Sequence, residues 1–66
     1  MWEEVTMKYP VGLHMYFKKA YRYLNARAEV VITRSKKEGR LTYVDVIDIN
    51  GNPYYHVSVK KLRMRP

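Results

Sequence analysis

The 66-residue chain has no cysteine. A disulfide staple, a thiolate nucleophile and a Cys-based zinc site are therefore excluded. Its three glycines stand apart, at Gly12, Gly39 and Gly51, so no glycine-rich loop is present to cradle a phosphate. The longest clean apolar run is Val30-Val31-Ile32, far short of the roughly 20 residues that span a bilayer as a helix. Glu3 and Glu4 sit where a secretory signal would be basic. A cytoplasmic protein with no membrane partner is the expectation. Acidic residues are also scarce, 6 against 13 Lys and Arg, which leaves a formal charge of +7.

That excess is unevenly placed. All but one of the 13 cations lie from Lys18 onward, where the only acids are Glu29, Glu38, Asp45 and Asp48. Such a basic surplus favours nucleic acid, an acidic protein or an anionic surface. The plainer reading is charge carried for solubility. Seven Tyr beside one Phe and one Trp make the chain rich in aromatics. Tyrosine fills a thin core with its ring while keeping its hydroxyl near water. A chain this short makes one domain with little core, so modest stability or self-association is expected.

The clearest local signal is the second half, Leu41 to Leu62. LTYVDVID and YYHVSVKKL read as two strands flanking Asn50-Gly51, a pair suited to a tight I′ hairpin turn. Val44 and Val46 share one face of the first strand. Tyr55, Val57 and Val59 share one face of the second by period 2. Tyr43 and Tyr55 read as packed cross-strand partners, with Tyr54 and Tyr55 alternating. Upstream, Glu29 to Arg34 reads as a strand and Ser35 to Arg40 as a polar connection. Val59 to Leu62 reads as a helical turn leading to a last short strand, Arg63 to Arg65. Residues 1–8 read as an N-terminal arm that Trp2, Val5 and Met7 dock, and residues 9–66 as one domain.

Leu13 to Arg27 supports two readings. Period 2 puts Leu13, Met15 and Phe17 on one side, giving a short strand and a long aromatic-basic loop. Period 3.6 gives a stripe of Leu13, Phe17, Ala20 and Leu24, with good helix formers in KKAYRYLNARA but no N-cap at Val11-Gly12. The second reading would make an α+β fold, an N-terminal helix followed by a three-stranded antiparallel sheet.

The order of these pieces resembles an SH3-like small barrel of the KOW kind, and short SH3-like proteins of Bacillus prophages. The resemblance rests on the YPVGL lead-in at Tyr9 to Leu13, the strand through Met15 and Phe17, and the basic loop. It continues through the strand at AEVVI, TYVDVID with its Asn-Gly turn, and the ending V-x-x-L at Val59 to Leu62. It departs from the KOW pattern where Ala26-Arg27-Ala28 stands in place of a glycine. The resemblance implies a mainly β, small SH3-like barrel of about five strands. It also implies that the first loop and the later turns lie near one another.

Catalytic chemistry is poorly provided for. Ser58 and His56 are neighbours by spacing, but no acid is placed to orient His56. His14 and His56 alone make a weak metal site, and Asp45 and Asp48 point to opposite faces of a strand. No enzyme activity, cofactor or metal is expected. Binding is better served, by three basic groups. Lys18, Lys19, Tyr21, Arg22 and Tyr23 interleave cations with aromatics. Arg34, Lys36, Lys37 and Arg40 follow, then Lys60, Lys61, Arg63 and Arg65. Cations hold phosphates, and tyrosine faces stack bases. Tyr16, Tyr21 and Tyr23 are the candidates for an exposed set. The expected partner is DNA or RNA. A phage-type protein that binds and inhibits or redirects a host protein is the alternative, and a homodimer through a strand edge is a third possibility.

Overall fold

The structure, a computed structural model, describes residues 9–65. The expected arm and its docking by Trp2, Val5 and Met7 lie outside the described residues. The fold is mainly β, with five antiparallel strands in one sheet: β1 (His14–Phe17), β2 (Glu29–Glu38), β3 (Leu41–Asp48), β4 (Pro53–Ser58) and β5 (Leu62–Arg63). Their order is β4-β3-β2-β1-β5. A 3-10 turn, Val59–Lys61, carries the chain from the β4 edge round to the β1 edge. No described helix is long and apolar enough to cross a membrane.

The helical reading of Leu13 to Arg27 is not what forms. Met15 and Phe17 are buried, which is the period-2 pattern, and β1 pairs with β2 on one side and β5 on the other. Pairing on both sides outweighs the helix propensity of the basic stretch, because propensity is a few tenths of a kcal/mol per residue and burial of Phe or Met is worth about 1.5–3 kcal/mol. The lead-in is pinned as well. Gly12, at φ 94, lets the Leu13 N–H reach the Pro10 carbonyl at 3.1 Å and donates its own N–H to Ile32 at 2.8 Å.

The core is one cluster of Met15, Phe17, Val30, Ile32, Val44, Val46, Tyr54, Val57 and Leu62. Two β-bulges shape it, and both face Asp45 on β3. Opposite β2, Ile32 pairs with Val46 but Arg34 with Asp45, so Thr33 is the extra residue. Opposite β4, Val44 pairs with Val57 but Val46 with Tyr54, so Tyr55 and His56 share one place. The Thr33 hydroxyl donates to the Asp45 carbonyl at 3.2 Å, and the Asp45 carboxylate accepts the His56 N–H at 3.0 Å. Bulges on both flanks add right-handed twist, which curls a small sheet around its core.

Several sequence expectations are corrected here. β2 does not stop at Arg34 but runs to Glu38, closing on Leu41 through Gly39-Arg40, with Gly39 at φ 63. Pairing with β3 overrides the polar composition of Ser35 to Glu38. The Asn50-Gly51 turn is not I′, since only Gly51 (φ 88) has positive φ. It is a three-residue loop closed by the Gly51 N–H on the Asp48 carbonyl at 3.0 Å, the arrangement that needs left-handed geometry only at its last residue. The bulge at His56 shifts the phase of β4, so Tyr54 is buried and Tyr55 is turned out. The last strand is Leu62–Arg63 rather than Arg63 to Arg65. β4 is an edge strand, and Pro53 and the bulge interrupt its straight run of backbone groups.

Candidate nucleic-acid interface

The 18–28 loop is held at its base and at its tip. At the base, the Arg27 N–H donates to Phe17 at 2.8 Å and the Phe17 N–H to Ala28 at 3.1 Å. Two residues thus face one, with Arg27 at φ 71, the conformation a glycine adopts most readily. At the tip, Tyr21 and Leu24 exchange backbone hydrogen bonds of 2.9 and 2.8 Å, leaving Arg22 and Tyr23 as a two-residue turn. Arg22 has φ 53, and Tyr23 is 95% exposed.

Tyr21 docks this loop onto the sheet. Its ring stacks on Phe17 at 4.7 Å and meets the Tyr54 ring edge-on at 6.1 Å. The Arg22 guanidinium and the Lys61 ammonium each lie 5.4 Å from its centroid. The Tyr21 hydroxyl, through a hydrogen bond, holds Arg22 above the usual guanidinium range. Tyr21 is therefore a pin rather than a free stacking platform. Tyr16 is half-buried too, and Tyr23 is the one member of the expected exposed set that stands clear.

Two concave surfaces flank the pin. The first is a cleft of about 270 Å³ lined by Phe17, Tyr21, Lys18, Lys19, Lys60 and Lys61 with Ala20. Two of the basic groups, more than forty positions apart, converge there. The Lys18 N–H donates to the Lys61 carbonyl at 2.9 Å, which fixes loop against turn. The Ser58 hydroxyl caps the turn by accepting the Lys60 N–H at 3.3 Å. No acidic side chain lines this cleft. Four like charges on residues lining one small cleft repel one another, and an anion relieves that repulsion.

The second surface is a larger groove, about 720 Å³, between the loop tip and the β3–β4 turn. Arg22 and Tyr23 face Asn50, Asn52 and Pro53 across it, with Tyr54, Tyr55 and Asp48 also contributing. Asp48 is buried, and its carboxylate accepts four hydrogen bonds. These come from the backbone N–H of Asn50 (2.9 Å) and of Asn52 (2.9 Å), the Asn52 side chain (3.3 Å) and the Tyr54 hydroxyl (3.0 Å). The Asn52 N–H first, with Tyr54 and the other donors behind it, holds this carboxyl below its usual range against the opposing effect of burial. Burial, then the hydrogen bond to Asp48, raises the Tyr54 hydroxyl.

The remaining candidates line neither surface. Arg34, Lys36 and Lys37 lie on β2 beyond its bulge, Lys36 bridging to Glu38 at 2.8 Å, and Arg40 is in the turn that follows. Arg63 pairs with Tyr16 on β5, and Arg65 is exposed beyond it. His14 contacts Glu29 at 2.6 Å, whereas His56 stacks on Tyr43 at 4.0 Å. Among the described residues no group of three or more His, Asp or Glu could hold a metal. Tyr55, Asn50 and Asn52 are not among the sequence's binding candidates: Asn50 reads as a turn residue and Tyr55 as a packed one. The signal that could have found Tyr55 is the Tyr-Tyr pair itself, of which one had to face outward. No protein-family model, curated protein or solved structure matches the chain.

Proposed function

We propose that this chain is a non-enzymatic nucleic-acid-binding module of SH3-like barrel type. The observation that carries the reading is the cleft: Lys18, Lys19, Lys60 and Lys61 converge with no acid among the lining residues. Ammonium groups so placed neutralise successive phosphates and release their condensed counterions. Among the described residues there is no recognition helix, and the lysines of the cleft are suited to phosphates rather than to base edges. Affinity then comes chiefly from the backbone and is weakly dependent on sequence.

The test is a titration against labelled DNA and RNA at 50 and 200 mM salt. With about four phosphates engaged, the fourfold salt increase should weaken binding by roughly 50- to 150-fold. Replacing Lys18 and Lys61 by Ala together should halve the slope of log affinity against log salt. Binding that ignores salt, or a slope unchanged in the double variant, would overturn the reading.

A further inference from the structure

We infer that the groove between Tyr23 and Tyr55 takes an unpaired nucleobase, so that the module selects single-stranded over double-stranded nucleic acid. This inference rests on the nucleic-acid reading of the neighbouring cleft and names its substrate class.

Backbone strain is the first support. Among the described residues three non-glycines have left-handed φ; one, Arg22 at φ 53, lines this groove, and a second, His56 at φ 55, directly follows its wall residue Tyr55. L side chains adopt that region at a cost, and such outliers concentrate at functional surfaces. Each one here has the same consequence. Arg22 opens the tight turn that puts Tyr23 at the loop tip, 95% exposed, and the bulge at His56 turns Tyr55 out, 68% exposed. Both rings line the one groove. The fold thus holds two aromatic faces in water, where an unliganded domain would gain by burying them.

The groove's chemistry and size are the second support. Tyr23, Leu24, Pro53, Tyr54 and Tyr55 give it apolar walls, and the Asn50 and Asn52 side chains give it amides. Its acid, Asp48, has its oxygens committed to four donors and stays negative. With the Arg22 guanidinium on the same lining the groove carries no net charge, so phosphates are drawn instead to the four lysines of the cleft, and a neutral flat ring enters the groove without an electrostatic penalty. At about 720 Å³ the groove falls within the roughly 300–1,000 Å³ of sites for organic ligands, and the cleft at about 270 Å³ falls below it.

Tyr21 joins the two surfaces. Its ring lines the cleft and touches Tyr54, and Arg22 follows it in the chain. A strand whose phosphates lie on the lysines can pass Arg22 and lay a base against Tyr23 or Tyr55. A duplex keeps its bases paired and stacked inside, and must break a pair to do the same.

The experiment measures anisotropy of the full chain with a single strand, its duplex, and the same strand carrying abasic sites. Variants are Tyr23→Ala and Tyr55→Ala, each beside its Phe counterpart. Both positions are exposed, and circular dichroism checks that each variant is folded. The single strand should bind about tenfold tighter than the duplex. Each Ala variant should lose about 5- to 20-fold on the single strand, with duplex affinity and salt slope unchanged. Phe should restore binding, and the abasic strand should lose as much as the Ala variants. Unchanged single-strand affinity in the Ala variants, or an equal loss on duplex, overturns the groove inference while salt-dependent binding leaves the cleft reading standing. Absence of salt-dependent binding to any of the probes overturns both.

Discussion

The cleft and the groove lie on two sides of one loop but are built by different means. The cleft brings distant lysines together through ordinary backbone bonds, Lys18 to Lys61 at the seam and a Ser58 cap behind it. The groove depends on uncommon backbone geometry at Arg22 and His56 and on a buried acid, Asp48, that ties its far wall together. A cationic surface needs only proximity, since an ammonium on a flexible stem acts over several ångströms. A stacking surface needs rings held at a set angle, so the chain departs from regular geometry there and not at the lysines.

Both regions hang on Tyr21, so its loss should be the largest single effect. Tyr21→Ala removes the stack on Phe17, the edge contact with Tyr54 and the seat of both cations. Each aromatic contact is worth about 0.5–1.5 kcal/mol beyond the area it buries, and each cation about 0.5–1 kcal/mol. The total, about 2–5 kcal/mol, is comparable to what a core this small supplies. Thermal unfolding should show a fall in Tm of at least ~8 °C, and Tyr21→Phe should retain most of the stability. A Tyr21→Ala protein melting like the parent would separate the two regions and remove the pin.

The next test acts on the groove and spares the cleft. Asp48 is held below its ordinary value of 3.8 chiefly by the Asn52 N–H. A depressed carboxyl contributes stability that is fully present above its unfolded pKa and is lost as pH falls through the folded one. Tyr54 carries the opposite sign. Its raised hydroxyl contributes below the ordinary value of 10.0 and loses that contribution as pH climbs through the folded value. The wall formed by the β3–β4 turn should therefore be firmest between about pH 4 and pH 10. Melting curves of the parent and of Asp48→Asn should differ across that window and converge at acid pH. Parallel curves down to pH 2 would mean that the Asp48 hydrogen bonds add nothing to the folded state.

The same division explains which features are legible in the sequence alone. The core strand at Leu41 to Asp48 was legible because period 2 runs through it unbroken, placing Val44 and Val46 inward. The strand through Met15 and Phe17 was legible too, although its composition also suited a helix. The next strand kept its period only to the bulge beside Thr33, and its extension to Glu38 is created by pairing. On β4 the bulge at Tyr55-His56 reversed the phase, so Tyr55 was expected to be packed and is exposed. The lysines were legible as charge, but their convergence is tertiary. It depends on the 3-10 turn returning to β1, something no local pattern encodes. Left-handed φ at Arg22 was invisible because nothing in Tyr-Arg-Tyr signals it, as Asn or Gly would have done.

Arg27 gives the smallest effect and the control for the rest. It shares the strained backbone of the groove residues, at φ 71, but its exposed side chain lines neither the cleft nor the groove. Arg27→Gly should relieve roughly 1–2 kcal/mol of left-handed strain. It should return about 0.5–1 kcal/mol of that to the greater freedom of glycine in the unfolded chain. The net gain lies between about 0 and 1.5 kcal/mol, and its midpoint corresponds to a rise in Tm of roughly 3–6 °C. Arg27→Ala removes the same charge but keeps the strain, so its Tm should stay at or below the parent's. Both variants lose the same charge from a hollow that shares Tyr23, Leu24, Asp48 and Asn50 with the groove, so their single-strand affinities should fall alike, by less than about fivefold. If Arg27→Gly instead lowers Tm, the side chain holds the loop base, and strain there has the same cause as at the groove. If it raises Tm and binds as Arg27→Ala does, relief of strain alone does not disturb binding. A loss of affinity in Arg22→Gly at unchanged fold would then belong to what Arg22 and Tyr23 present to the ligand.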